Sequence, residues 1–333
     1  MDQEKYIQSS TMTRVYEKKL LSDQSFDRLL EAPHLNEFSR ILSETVYADL
    51  VQVMDSRKKI DQALDQELVK TYRDFYKLTW DEEAVEIPAS KYIFHNFKVI
   101  LKSQLIEEDF MGLIIPIGEY DYEAIYADIQ ENFVSQKAGD FTRMLNQGLE
   151  EYRKSKDPQK LDMQMDKLQY EYMLSLAKEL DSKLILDYVK TLIDVQNINM
   201  TLRGKRQNHR VNCVEGFMIE GGNISADSLR RAYFDSMENI IDGLKRSLMY
   251  SHLKEALEKS LADGKLIYFK EVTSAFLNNI SNRGSLYPFG PEVMFAYLLK
   301  KEREVQKLRT ILIGKMNGLS GEEIKERTGE LIE

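Results

Sequence analysis

His209 and Cys213 stand four residues apart in a polar stretch, the one spacing in the sequence that pairs a thiol with an imidazole. Such a pair can serve as nucleophile and base, or can open a zinc site. Neither chemistry is complete here. There is no second cysteine, and His34, His95 and His252 are scattered through the chain. Nothing near His209 in sequence would orient it as a base. Carboxylates are abundant, with 55 Asp and Glu in 333 residues, so pairs such as Glu107-Glu108 and Glu322-Glu323 follow from composition and read as solvated faces. The phosphate-binding G-x-x-x-x-G-K-[ST], the dinucleotide G-x-G-x-x-G and the G-x-S-x-G elbow are all absent. His95, beside Asn96, reads as a hydrogen-bonding residue of a core or interface, with a ligand role as the alternative. The expectation is a chain with no catalytic residue, no cofactor, no metal and no small-molecule substrate.

Two features suit contact better than catalysis. Arg203, Lys205, Arg206 and Arg210 form the sharpest local charge cluster. Cations at a helix C-terminus complement the macrodipole, and the same cluster could meet an acidic partner or a lipid headgroup. The loop Tyr287-Pro288-Phe289-Gly290-Pro291 sets an aromatic between two prolines, which stiffen the backbone. Phe289 therefore reads either as a core plug or as a rigid contact for another subunit.

The elements that carry these residues are helices. Gly and Pro number only 16 and 6, too few for a turn-rich sheet, while 43% hydrophobic and 30% charged residues supply long amphipathic segments. Apolar residues recur at three- and four-residue steps from Asp49 to Thr79. The same spacing continues from Lys91 to Leu105, beyond Ile87-Pro88, with a connector at 110–122. Asp157-Pro158 opens another helix, followed by Leu184 to Leu202. Further helices are predicted over Ala226–Lys245, His252–Ala262, Tyr268–Ile280 and Pro291–Met316. Ser320-Gly321-Glu322-Glu323 is a capping box for a last helix ending near Ile332. No alternating strand appears, so the class is all-α.

A repeat organises these helices. Asn96-Phe97-Lys98-Val99-Ile100-Leu101-Lys102 resembles Asn197-Ile198-Asn199-Met200-Thr201-Leu202-Arg203, and both resemble Lys307-Leu308-Arg309-Thr310-Ile311-Leu312-Ile313. Each copy closes a pair of helices, giving three units at 1–115, 116–222 and 223–333. Units built alike pack through equivalent faces, so three of them suggest a pseudo-threefold bowl or short arc. One cysteine excludes an intrachain disulfide and fits a reducing compartment. The polar start MDQEKYIQSS is no secretory leader, no stretch is apolar enough to span a membrane, and the net charge of −9 disfavours nucleic acid.

Taken in order, these residues carry a family resemblance. Thr45-Val46-Tyr47, His95-Asn96-Phe97-Lys98, Leu202-Arg203-Gly204-Lys205-Arg206, Pro288-Phe289-Gly290-Pro291-Glu292 and Leu308 through Lys315 resemble the C subunit of the V-type and archaeal-type rotary ATPases, the counterpart of the d subunit in the eukaryotic vacuolar enzyme. The stretch from Pro288 to Ile332 is the most specific. The resemblance implies a funnel of three helical domains with a central cavity. It also implies a non-catalytic rotor subunit, placed on the cytoplasmic face of the membrane between the central shaft subunits and the proteolipid ring. Two other classes stay open from the residues alone. One is a free-standing solenoid scaffold with an open concave groove. The other is an all-α enzyme with a carboxylate-bridged metal, which would need paired Glu and Glu-x-x-His motifs on facing helices.

Overall fold

The computed structural model describes residues 4–106, 108–132, 136–206, 216–234, 250–263 and 267–328. Among them every regular element is helical. In chain order the helices are α1 (Ile7–Glu17), α2 (Asp23–Glu31), α3 (Leu35–Ser43), α4 (Arg57–Leu78) and α5 (Glu83–Ile106). There follow α6 (Tyr122–Asn132), α7 (Thr142–Ser155), α8 (Pro158–Glu179), α9 (Lys183–Arg206) and α10 (Ala226–Phe234). The last four are α11 (Tyr250–Asp263), α12 (Ile267–Gly284), α13 (Pro291–Met316) and α14 (Gly321–Thr328). The all-α class is as the sequence implied.

Local signals place most boundaries. Asp157 caps α8 by accepting from the Gln159 amide at 2.9 Å, with Pro158 at the first helical position. The Ser320–Glu323 capping box closes both ways: the Ser320 amide donates to Glu323 Oε2 at 2.8 Å, and the Glu323 amide to Ser320 Oγ at 3.2 Å. Two expectations shift. The helix read from Asp49 is a 3-10 segment over Ala48–Val53 followed by α4, because Ser56 adopts an extended backbone between them. Pro88 does not mark a start but lies inside α5, where Ala84, Val85, Ile87 and Ala89 are fully buried around it. That burial outweighs the hydrogen bond a helical proline forfeits. The helix expected to reach Lys245 is described only as far as Phe234, and residues 235–249 lie outside the described residues.

The chain divides into two compact units, Met1–Val85 with Asn278–Glu333, and Glu86–Leu277. In the first, α13 is buried along most of its length and packs on α1, α2, α4 and α14. Phe75 stacks on Tyr297 with centroids 4.8 Å apart. Charge is buried here too. Lys301, 3% exposed, bonds Glu67 and Glu304, each at 3.0 Å, and donates to the Tyr47 hydroxyl at 2.9 Å. The second unit has an aromatic core of Phe94, Phe97 and Phe141 packed with Tyr120, Tyr122 and Tyr172. A second cluster, in the same unit, gathers Ile198, Leu202, Leu253, Leu257 and Phe269.

Candidate functional site

The repeated heptads form the same device twice. Asn96 on α5, fully buried, donates from Nδ2 to the Ile115 carbonyl at 2.6 Å and accepts from the Ile115 amide at 3.0 Å. Asn197 on α9, fully buried, donates to the Ile219 carbonyl at 2.7 Å and accepts from the Ile219 amide at 2.9 Å. Each asparagine amide thus replaces a strand partner for one residue of the loop that returns after its helix. A glycine with positive φ follows each clamped isoleucine, Gly118 at +91° and Gly221 at +94°, and turns the loop toward the next helix. His95 also serves the first loop, its Nε2 lying 3.1 Å from the Leu113 carbonyl.

The environment behind the two clamps differs. A side chain on Gly118 would meet Ile93 and Tyr120, whereas one on Gly222 would meet the Asp194 carboxylate, so Asp194 takes the place of Ile93. Asp194 is fully buried and accepts from the Ile224 amide at 2.9 Å and from Asn223 Nδ2 at 3.1 Å. Burial pushes its carboxyl up to about 6, against the opposing pull of those hydrogen bonds and of Lys190.

A second recurrence lies across the long helices. One interval, 101 residues, separates Asp61 from Asp162, Asp65 from Asp166 and Asn96 from Asn197. Within the second unit, Lys98 on α5 bonds Asp166 on α8 at 2.7 Å, and Lys102 bonds Asp162 at 2.8 Å. Within the first unit, Arg309 on α13, which stands in the third heptad where Lys98 stands in the first, bonds Asp65 on α4 at 2.6 Å and Asp61 at 3.1 Å. The remaining junction is apolar. Val272 and Phe276 on α12 pack on the cluster that holds Ile198 and Leu202 of α9. Phe276 precedes Lys307 by the same 31 residues that separate Asp65 from Asn96. Motif reasoning passes over these i, i+4 acids and their cation partners. Their shared interval with the asparagines is the signal that exposes them.

The contact residues read from sequence fall in different units. Arg203 is exposed near the end of α9, and Lys205 and Arg206 lie in the helical turn that ends it. Arg210, like His209 and Cys213, lies outside the described residues. Phe289 is half-buried in the other unit, before α13. The exposed apolar side chains of its loop are Leu286, 82% exposed, and Tyr287. Glu31 and His34 give the sequence one Glu-x-x-His spacing. They sit at the end of α2 and before α3, on either side of Pro33, and share no helical turn. Among the described residues no group of three His, Cys, Asp or Glu side chains is arranged to hold a metal ion, and no helix is long and apolar enough to cross a membrane.

Comparison with known proteins finds one family along nearly the whole chain. The profile of the family described as ATP synthase (C/AC39) subunit matches residues 9–327. The chain is 25% identical over 326 residues to the C subunit of the V-type sodium ATPase of Enterococcus hirae, covering 97% of each chain. It is 26% identical over 352 residues to the C subunit of the A-type ATP synthase of Thermococcus kodakarensis, covering 98% of this chain and 91% of that one. Against the C subunit of the A-type ATP synthase of Methanocaldococcus jannaschii it is 23% identical over 342 residues, covering 96% and 85%. With a family profile spanning nearly the whole length and full-length relatives of one description, the chain belongs to the ATP synthase (C/AC39) subunit family, the C subunits of the V- and A-type rotary ATPases.

Proposed function

We propose that this chain is the non-catalytic rotor spacer of its ATPase, a socket between the central shaft subunits and the membrane proteolipid ring on the cytoplasmic face, through which torque passes. The observation that carries this reading is the recurrence of one junction. The second helix of the first copy meets the first helix of the second through Lys98–Asp166, and that of the third meets the first helix of the first through Arg309–Asp65. Ile198 and Leu202 on the helix of the second copy share an apolar cluster with Val272 and Phe276 on the first helix of the third, at the same register. Successive pairings of this kind support three units, 1–115, 116–222 and 223–333, closing about a pseudo-threefold axis as a funnel. Close-packed helix pairs resist compression, which suits an element that carries load. The buried Lys301–Glu304–Tyr47 set ties α13 to the segment before α4 by directional bonds, which hold register better than apolar packing alone.

In this reading the cationic end of α9, with Arg203, Lys205 and Arg206, together with Arg210 and the loop around Phe289, touches the neighbouring subunits. The test is a deletion of this subunit from the intact ATPase. The expected outcome is ATP hydrolysis by the soluble head with loss of ATP-driven ion pumping, restored by the wild-type chain. Reversing Arg203, Lys205 and Arg206 together should weaken assembly without loss of helicity. Coupled pumping in the deletion strain would overturn the assignment.

A further inference from the structure

Among the described residues Leu286 is the most exposed large hydrophobic side chain, at 82%. Its backbone is nonetheless fastened from both sides. Arg14 Nη2 donates to the Ser285 carbonyl at 2.8 Å and to the Tyr287 carbonyl at 2.6 Å, the two groups that flank Leu286. The amides of Ser285, Leu286 and Tyr287 return to the carbonyls of Asn282, Arg283 and Gly284 at the end of α12. Lys300 Nζ donates to Ser285 Oγ at 2.7 Å, and the Gly290 amide donates to the buried Ser10 hydroxyl at 3.3 Å. A solvated loop tip ordinarily carries small polar residues. Here a charged side chain 271 residues away in sequence holds a leucine out in water.

The surroundings are rich in cations for a chain of net charge −9. Arg14, Arg283, Lys300 and Arg303 stand about the loop; the acids there are Glu17, which bonds Arg14 and Lys300, and the buried Glu292 beside Gly290. Burial, joined by Arg303 and Arg14, lowers the Lys300 ammonium against the pull of Glu17. A leucine whose backbone is already fixed loses little further entropy on docking. Cations about it favour an acidic counterpart and repel a basic one.

We propose that residues 285–288 form a preset apolar finger, with Leu286 at its tip, that docks into an apolar cup with an acidic rim on a neighbouring protein subunit. The inference rests on the reading of this chain as a subunit of the rotary assembly, and it names which part of the loop makes the contact. The test uses the intact ATPase carrying the photoreactive residue benzoylphenylalanine at position 286. Irradiation should yield one adduct, to a neighbouring subunit, at a peptide of apolar residues flanked by Asp or Glu. Leu286→Asp should lower retention of that subunit at least tenfold with the melting temperature of the isolated chain unchanged, whereas Leu286→Met retains it. Arg283→Glu should weaken retention more at low salt than at high salt. An assembled complex that gives no adduct, or that tolerates Leu286→Asp, overturns the finger and leaves the rotor reading standing. A wild-type chain that never enters the complex overturns both.

Discussion

The clamp on α5 and the clamp on α9 are the same object in two surroundings. Asn96 and Asn197 bond one loop isoleucine through both its backbone groups, with distances that agree within 0.1 Å. Behind the first clamp stands Ile93, and behind the second stands Asp194. The repeat has kept the group that satisfies buried backbone and has let the filling vary. Stranding a buried amide and carbonyl costs more than exchanging an apolar filler for a polar one whose hydrogen bonds are made.

The largest effect should come from removing a clamp outright. Asn197→Leu strands the amide and carbonyl of Ile219, which is 1% exposed, and should cost about 3 kcal/mol in urea denaturation. Asn96→Leu should cost roughly half that, because Ile115 is only half-buried and water can reach its backbone. Equal losses would break the comparison at its premise.

The two fillings separate in their response to pH. Asp194 is pushed up to about 6 in the folded chain from an ordinary value of 3.8. Between those values the folded chain binds the extra proton, so protonation favours folding and the contribution declines as pH rises from about 4 to about 6. Above that window the buried carboxylate is ionised in both states, and the folded one bears the desolvation. The stability of the wild type relative to Asp194→Asn should therefore fall on the order of 2 kcal/mol across the window and stay level above it. Isoleucine at position 93 gives no such slope, so Ile93→Val should leave the pH profile unchanged. A flat difference between wild type and Asp194→Asn would mean that the carboxylate is solvated.

The glycines that follow the clamps give a smaller and graded effect. Alanine at Gly118 or Gly221 must hold a positive φ, at a cost of about 1 kcal/mol before any collision. A Cβ on Gly118 lies 2.8 Å from the Tyr120 ring, whose hydroxyl is tied to Glu86 at 2.9 Å. On Gly221 it approaches a Leu174 methyl more closely still, but that methyl is the free end of a flexible side chain. Gly118→Ala should therefore lower the melting temperature more than Gly221→Ala, although the space at Gly221 is the tighter.

These regions were unequally legible. The Asn96 and Asn197 heptads could be matched because the same residue returns at the same helical register. Their partners could not, since Ile115 lies 19 residues on and Ile219 lies 22, across loops of different length. Helix α1 has no legible stripe: it buries Ser9, Ser10 and Thr13 while Ile7, Met12 and Val15 are exposed, the reverse of the pattern that betrays a helix. At Pro88 the local rule predicts a helix start, and burial in the tertiary structure overrides it. Leu286 carries no signal in the sequence, since its backbone is held by Arg14 from the far end of the chain. The fold class was available because it rests on composition and periodicity. The fastening of Leu286 was not, because it depends on pairs distant in sequence.

The smallest expected effect concerns the charged junctions. Lys98 and Asp166 keep 24% and 32% of their side chains exposed, and Arg309 and Asp65 keep 32% and 27%. Pairs so open to water gain little, and double-mutant cycles on each should return about 0.5 kcal/mol. At 1 M salt, where screening acts within ~3 Å, that coupling should vanish in both. The apolar junction of Val272 and Phe276 on the Ile198–Leu202 cluster should behave oppositely, holding or strengthening as excluded salts such as sulfate favour burial. Phe276→Asp would write the acid of the other junctions into the third, opposite Asn199 and Arg203 where the first copy has Lys98 and Lys102. If register alone governed the contact, Asn199→Lys would rescue that variant. Burial predicts otherwise: the lost aromatic packing, worth about 3 kcal/mol, exceeds what one half-exposed ion pair returns, so the double variant should stay nearly as unstable as the single.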